Sequence, residues 1–322
     1  MKYKYTIITA NFNGFHLMDK YFDCLEKQTF KNFEVIIIDD CSSDNSYINL
    51  IKYKKKSKLN LQILKTNENS GPGVARNIGI DNANGEYITF VDNDDWIEYN
   101  TLEAIYNVLE KRKYDCIIYD YYMDFPQKHI SCSSVYGNFN NEINKKDAIK
   151  YVRNHSVCKF FKSIILKDNR IKYPNIRRHE DIAFVGSALI KCDSFFYLKT
   201  PLYHYIQLKK SLSRDNKIDE KTLEIAHELL VKSYGDRYSI ELKERSVMDL
   251  LYNKTLLMCK NKRKNREIRS FIENFNKEDP KWIDYDIIKY LGLAKRLFLY
   301  LTYRKWVFCL KFLSFLHTKM GG

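Results

Sequence analysis

Glycine and proline are scarce in this chain, 11 and 5 among 322 residues, which excludes collagen-like and Pro/Gly-rich disordered proteins. No GxxxxGK[ST] run occurs, so a P-loop phosphate cradle is absent. The GxGxxG dinucleotide fingerprint also fails, because in "GPGVAR" Arg76 stands where the third glycine belongs. Eight cysteines are scattered; the closest pair, Cys116 and Cys132, lies 16 apart, and no CxxC is present. That spacing excludes a cysteine-built metal centre and predicts buried, reduced thiols in a cytosolic protein. No uncharged apolar stretch reaches about 18 residues, so no transmembrane helix is expected. The opening "MKYKYTIITANF" is too polar, and its apolar run too short, for a signal peptide. Neither an internal repeat nor a long flexible linker is found.

What is present describes a globular protein. Hydrophobic residues make up 45% and aromatics 15%, enough to bury a full core. The net charge is +14, from 54 basic and 40 acidic residues. Such a balance favours anionic partners: nucleic acid, nucleotides, phosphorylated substrates or an acidic membrane surface. The run "KYKKKSK" at 52–58 reads as a solvated helix end.

The first 120 residues alternate between two kinds of segment. "YTIITA" (5–10), "FEVIIID" (33–39), "LQILK" (61–65), "EYITFV" (86–91) and "DCIIYD" (115–120) read as buried strands. Helix-length segments fall between them, near 15–28, 44–56, 73–83 and 101–112. This alternation predicts an α/β fold whose mostly parallel sheet is flanked by helices. Ligands of such sheets bind beyond the carboxyl ends of the strands.

Acids gather at those ends. The second strand runs into Asp39 and Asp40, and the fourth into Asp92, Asn93, Asp94 and Asp95. At about 6 Å and an effective dielectric near 20, each like-charge pair costs roughly 3 kcal/mol. An EF-hand does not explain them, since Trp96 and Ile97 occupy a ligand place and the obligatory glycine place. A divalent cation would neutralise the cluster, and Mg2+ or Mn2+ suits one or two carboxylates plus phosphate oxygens. "NSGPGVARNIG" (69–79) adds a turn into a helix that carries Arg76, a guanidinium suited to a pyrophosphate. Acids before a helix can equally be turn and cap residues.

Five segments occur in an order and spacing that resemble family 2 glycosyltransferases of the GT-A fold. They are "IITANFNG", "QTFKNFEVIIIDDCSSDNS", "NENSGPGVARNIGI", "GEYITFVDNDDW" and "HEDIAFVG". The resemblance is strong over 3–120, thins to about 215 through "CKFFK" and "PLYHY", and is lost beyond. It implies an inverting, metal-dependent enzyme of the bacterial surface-polysaccharide type, moving a sugar from a nucleotide-sugar, UDP-linked by preference, to a glycan or lipid-linked acceptor. Nucleic acid is not an implied partner. Residues like Ala10, Phe12 and Asp40 would surround the base, with Asp40 accepting the imide N–H of uracil. Arg76 would lie near base and phosphates. Asp92 and Asn93 would face the ribose, Asp94 would ligate Mn2+ or Mg2+, and His204 could be a further ligand or an ordinary strand histidine. Asp181 would be the general base with Glu180 in support, and Lys159 would belong to the acceptor side. "KKSLSR" (209–214) could close over the pyrophosphate. Two departures stand out: Ala10 replaces a usual proline, and Cys41 replaces the usual glycine of "DDGS".

These readings divide the chain into a transferase domain, 1–215, and a helical region, 216–322. The first would comprise a nucleotide-sugar-binding half, 1–120, and an acceptor half, 121–215. Helices are expected at 219–233, 239–262, 264–277 and, in pieces, 283–317. In the last, Arg296, Arg304 and Lys311 would share a quarter-turn arc of a helix also rich in Trp and Phe. That is the pattern of a helix lying on an anionic membrane, which would make a cytoplasmic protein peripheral on the inner face of the cytoplasmic membrane; the same helix could equally pack on the catalytic domain or on a partner chain. Two rivals remain: a nucleotidyltransferase, or an inactive relative serving as a membrane-bound scaffold.

Overall fold

The structure, a computed structural model, describes residues 2–207 and 220–319. The "KKSLSR" loop therefore lies outside the described residues. Among the described residues ten strands form one mixed, mostly parallel sheet in the order β3-β2-β1-β4-β9-β6-β10-β5, with β7 on β6 and β8 on β10. The strands are β1 (Tyr3–Asn11), β2 (Phe33–Asp39), β3 (Leu61–Lys65), β4 (Gly85–Phe90), β5 (Trp96–Ile97), β6 (Cys116–Phe125), β7 (Lys128–Cys132), β8 (Glu142–Ile143), β9 (Lys159–Lys162) and β10 (Phe195–Ile206). Strand β2, "FEVIIID", is buried at every position, as a central strand covered on both faces must be.

Helices α1 (Asp19–Glu26), α2 (Ser46–Lys54), α3 (Pro72–Asn82) and α4 (Thr101–Lys111) connect the first strands. The parallel order β3-β2-β1-β4 reverses direction between β1 and β4, and at such a switch point the strand ends part to leave a crevice. The short strand β9, "KFFK", then pairs antiparallel with both β4 and β6. It separates two strands that the alternation alone would place side by side.

By internal contacts the chain forms two compact units. One holds Met1–Ser134, Phe139–Lys145 and Arg153–Leu208; the other holds Val135–Asn138, Lys146–Val152 and Lys209–Gly322. The segment 121–215 is thus shared between them. Helices α6 (Ser163–Asp168) and α7 (Glu180–Lys191) belong to the first unit. The second contains most of α5 (Lys145–Tyr151), then α8 (Glu220–Tyr234), α9 (Ser239–Ser246), α10 (Asn253–Lys260), α11 (Asn265–Glu278), α12 (Asp286–Lys289), α13 (Leu293–Tyr303) and α14 (Val307–Lys319). A π-helical turn, Val247–Tyr252, joins α9 to α10. There the buried guanidinium of Arg245 bonds Asp249 at 2.8 Å and the carbonyl of Ile149 at 2.5 Å.

The last helical run breaks at 304–306, where Lys305 has φ +58°. The shared arc of Arg296, Arg304 and Lys311 is therefore not formed. They lie on separate helices or in the break.

Cys41, in the glycine's usual place, sits at φ +56°. A left-handed conformation costs a side-chain-bearing residue about 1–2 kcal/mol. Part of this is offset because glycine loses more entropy on folding. Cys41→Gly is therefore expected to stabilise the fold by up to about 1 kcal/mol, read as a higher urea midpoint at unchanged m-value.

Candidate active site

Hydrogen bonds tie three strand ends together. Asn93 Nδ2 donates to Asn11 Oδ1 at 2.8 Å, and Asn11 Nδ2 donates to Asp39 Oδ1 at 3.0 Å. Asp39 also accepts from the hydroxyl and amide of Ser42, at 2.6 and 3.0 Å. Asp40, equally buried, accepts from Thr66 Oγ1 at 2.9 Å and from the amides of Ser70 and Gly71 at 3.1 and 2.7 Å. A carboxylate has about four lone-pair sites, so one acceptor position is left on Asp40 Oδ2. Ala10 is half-buried, whereas Phe12 stands 45% exposed just past the end of β1.

Gly14 supports this arrangement. A Cβ there would lie 2.0 Å from Asn93 Nδ2 and 3.0 Å from Asn11 Oδ1. The end of the Asn93 side chain can swing aside, so the fold survives, but the relay to Asn11 would break. Gly14→Ala is expected to keep its melting temperature within a few degrees while weakening UDP binding about tenfold, the scale of one hydrogen bond. Calorimetric titration with UDP checks this.

The four positions 92–95 have separate partners. Arg76, buried on α3, donates from Nη2 to Asp92 Oδ1 at 2.8 Å. Asp95, fully buried, accepts from the Tyr203 hydroxyl at 2.6 Å and the Ile206 amide at 2.8 Å. Burial and the charges of Asp94 and Asp92 hold its carboxyl well above the usual range. Among the described residues no side chain bonds Asp94. Burial and the neighbouring Asp92 charge push its carboxyl up to about 6.

Arg76 reaches a second acid pair. Its Nη1 lies 3.3 Å from Glu180 Oε1 and 3.8 Å from Asp181 Oδ1. Expected near base and phosphates, this guanidinium is a buried counter-ion that joins "DND" to "HED". It spans residues 76, 92, 180 and 181. Glu180, the first residue of α7, is pushed up to about 7 by burial and by Asp181, against the opposing pull of Arg76. Asp181 follows with its side chain 32% exposed, at a helix start that favours negative charge. Its Oδ1 accepts from Ser156 Oγ at 2.5 Å. Sequence reasoning missed Ser156, for no motif or spacing marks "RNHSVC".

His204 and Lys159 are both engaged within the fold. The His204 ring is bonded at both nitrogens, to Asp124 at 2.8 Å and Glu98 at 2.9 Å, and stacks on Trp96 at 3.5 Å. Both nitrogens are engaged, the arrangement of a satisfied strand histidine. Lys159 is fully buried, its ammonium donating to the carbonyls of His155 at 2.5 Å and Val157 at 3.5 Å. It braces that loop from within and offers no acceptor-facing surface.

The donor set fits a hard cation in part. Among the described residues no group of three His, Cys, Asp or Glu side chains could hold a metal alone. The half-buried Asp94, bonded by no side chain among the described residues and beside Asp92, nonetheless matches the sites of Mg2+ and Mn2+, which take one or two carboxylates and leave the remaining positions to substrate phosphate and water.

A sheet of this order, with acids at its switch point, defines a GT-A-like α/β protein. Residues 1–349 of TarS from S. aureus, solved in complex with UDP, align with TM-score 0.70 at 22% identity, covering 98% of this chain and 91% of that one. A mannosyltransferase from Pyrobaculum calidifontis, in complex with GDP-Man and Mn2+, aligns with TM-score 0.59 at 13% identity, covering 98% and 86%. The description "Glycosyl transferase family 2" matches residues 6–170, and the chain belongs to that family. Over 208 residues it is 27% identical to the poly(ribitol-phosphate) beta-N-acetylglucosaminyltransferase TarS of Staphylococcus aureus, covering 63% of this chain and 35% of the relative. Over 206 residues it is 32% identical to a poly(ribitol-phosphate) beta-glucosyltransferase of Bacillus spizizenii, covering 63% and 32%. The chain thus matches about a third of the length of these curated relatives.

Proposed function

We propose that this chain is an inverting, metal-dependent glycosyltransferase. It would move a hexosyl or N-acetylhexosaminyl group from a UDP-sugar to a hydroxyl of a glycan or lipid-linked acceptor in bacterial surface-polysaccharide synthesis. The observation that carries the reading is the Arg76 bridge, which gathers Asp92 and the pair Glu180–Asp181 around one guanidinium. In this reading Asp40 accepts the uracil imide N–H, and Phe12 packs on the base. Asp92 and Asn93 hold the ribose side. Asp94 holds the metal with Asp92 at hand, and the ion would supply a Lewis acid for the charge on the departing diphosphate. Asp181 takes the acceptor hydroxyl's proton. A single displacement inverts the anomeric centre, in keeping with the beta-transfer that both relatives' names state.

A nucleotidyltransferase is disfavoured because the turn after β1, "ANFNGFH", has asparagines where a Gly-rich phosphate loop belongs. Thermal shift over a panel of nucleotide sugars, with and without Mn2+, tests the proposal. UDP-sugars should give the largest shifts, and UDP should be released from the productive one. Tight UDP binding without any turnover would instead favour an inactive scaffold.

The second unit supports a membrane-side location. No described helix is long and apolar enough to cross a bilayer. From Ile287 onward, however, the sequence has seven Lys and Arg and no acid. Leu297, Trp306, Phe308 and Phe312 are exposed around an apolar cleft of ≈ 370 Å³ between α13 and α14. The opposite faces are packed, through Phe298, Leu299 and Leu310. We assign the exposed face to an anionic lipid surface, where each Lys or Arg contributes about 1 kcal/mol and the aromatics add apolar transfer. Truncating the hairpin would open that core, so substitution is the cleaner test. Phe308→Glu with Phe312→Glu is expected to lower sedimentation with phosphatidylserine-containing vesicles about tenfold or more, at unchanged melting temperature and UDP affinity. Undiminished sedimentation would reject this surface.

A further inference from the structure

Ser156 lies in the turn before β9 and grips both oxygens of Asp181. Its hydroxyl donates to Oδ1 at 2.5 Å, and its amide N–H donates to Oδ2 at 3.3 Å. The direction is fixed, because an ionised carboxylate only accepts. Ser156 is 1% exposed, so bulk water does not compete for the hydroxyl. We propose that Ser156 is the positioning residue of the catalytic base, an inference that rests on reading Asp181 as that base.

The two oxygens are not equivalent. Oδ1 carries the short Ser156 bond and faces Arg76 Nη1 at 3.8 Å. Oδ2 has only the longer amide contact, and the side chain is still 32% exposed. Oδ2 is therefore the oxygen with more lone-pair capacity to spare. Rotation about the last Asp torsion is broad and two-fold, so an unclamped carboxylate would exchange its oxygens and wander from the working angle. With Oδ1 held, the acceptor O–H proton passes to Oδ2. The acceptor oxygen bonds the anomeric carbon, and the bond from that carbon to the diphosphate oxygen breaks, its electron pair leaving with UDP.

A packing role alone would need only the serine's volume, whereas a positioning role needs its hydroxyl. UDP release from the UDP-sugar that the nucleotide-sugar panel singles out distinguishes these in four proteins: wild type, Ser156→Ala, Asp181→Asn and the double variant. Ser156→Ala is expected to lower kcat about tenfold or more, the scale of a slightly misplaced reacting group, at unchanged donor KM and UDP affinity. In the Asp181→Asn background the same change should cost nothing further, since its route of action is gone. Ser156→Cys keeps the volume with a weak donor and should fall between wild type and Ser156→Ala. It stands in if the alanine variant does not fold. Wild-type kcat in Ser156→Ala or in Ser156→Cys would overturn the inference while leaving Asp181 as the base. So would an undiminished Ser156→Ala effect in the double variant. Retained turnover in Asp181→Asn, or none in the wild type, would overturn the functional reading and this inference with it.

Discussion

Asp181→Asn is expected to lower turnover by about 10²-fold or more, the usual scale for a general base, with UDP affinity almost unchanged. Asparagine has the same shape, and its carbonyl oxygen can still accept the 2.5 Å bond from Ser156. Arg76 keeps its closer partners, Asp92 at 2.8 Å and Glu180 at 3.3 Å, and loses only the 3.8 Å neighbour. The donor side is thus left standing while the proton acceptor is gone. Coupled measurement of UDP release, beside calorimetric UDP binding, checks both halves. Lost binding with a high residual rate would make Asp181 a helix-start residue whose task is structural.

Local signals carried the first half of the fold. β1 to β4 and α1 to α4 lie within a few residues of where apolar runs and helical periodicity put them. What could not be read was pairing across distance. "KFFK" is four residues long, and only its antiparallel seat between β4 and β6 makes it a central strand. The site divides in the same way. Acids at strand ends were legible because sheets of this kind bind ligands there. The division of tasks among Asp92, Asp94 and Asp95 was not, because it is set by Arg76, 16 residues from Asp92, and by Tyr203, 108 from Asp95. His204 and Lys159 show the same limit. A sequence displays their chemistry but not the carboxylates and carbonyls that engage it.

Asp94→Ala is expected to abolish sugar transfer and to remove the extra stabilisation that Mn2+ gives the UDP-bound protein. The argument is one of elimination among neighbours. Asp92 is held by Arg76, and Asp95 by Tyr203 and the Ile206 amide. Asp94 is left ionised, half-buried and beside a like charge, which is why its carboxyl is raised to about 6. A carboxyl whose folded pKa lies above its unfolded value costs stability once it ionises. The cost is absent below about pH 4, grows between 4 and 6, and is full above about pH 6. Removing Asp94 should therefore raise the melting temperature of the ligand-free protein at pH 7.5 but not at pH 4. The metal-dependent part of the UDP shift should vanish, and EDTA should add nothing. On the proposed reading, a cation bound at Asp94 would offset that cost. Normal transfer in Asp94→Ala, or an intact Mn2+-dependent shift, would remove Asp94 from the metal site and leave the crowding of these acids without its cause.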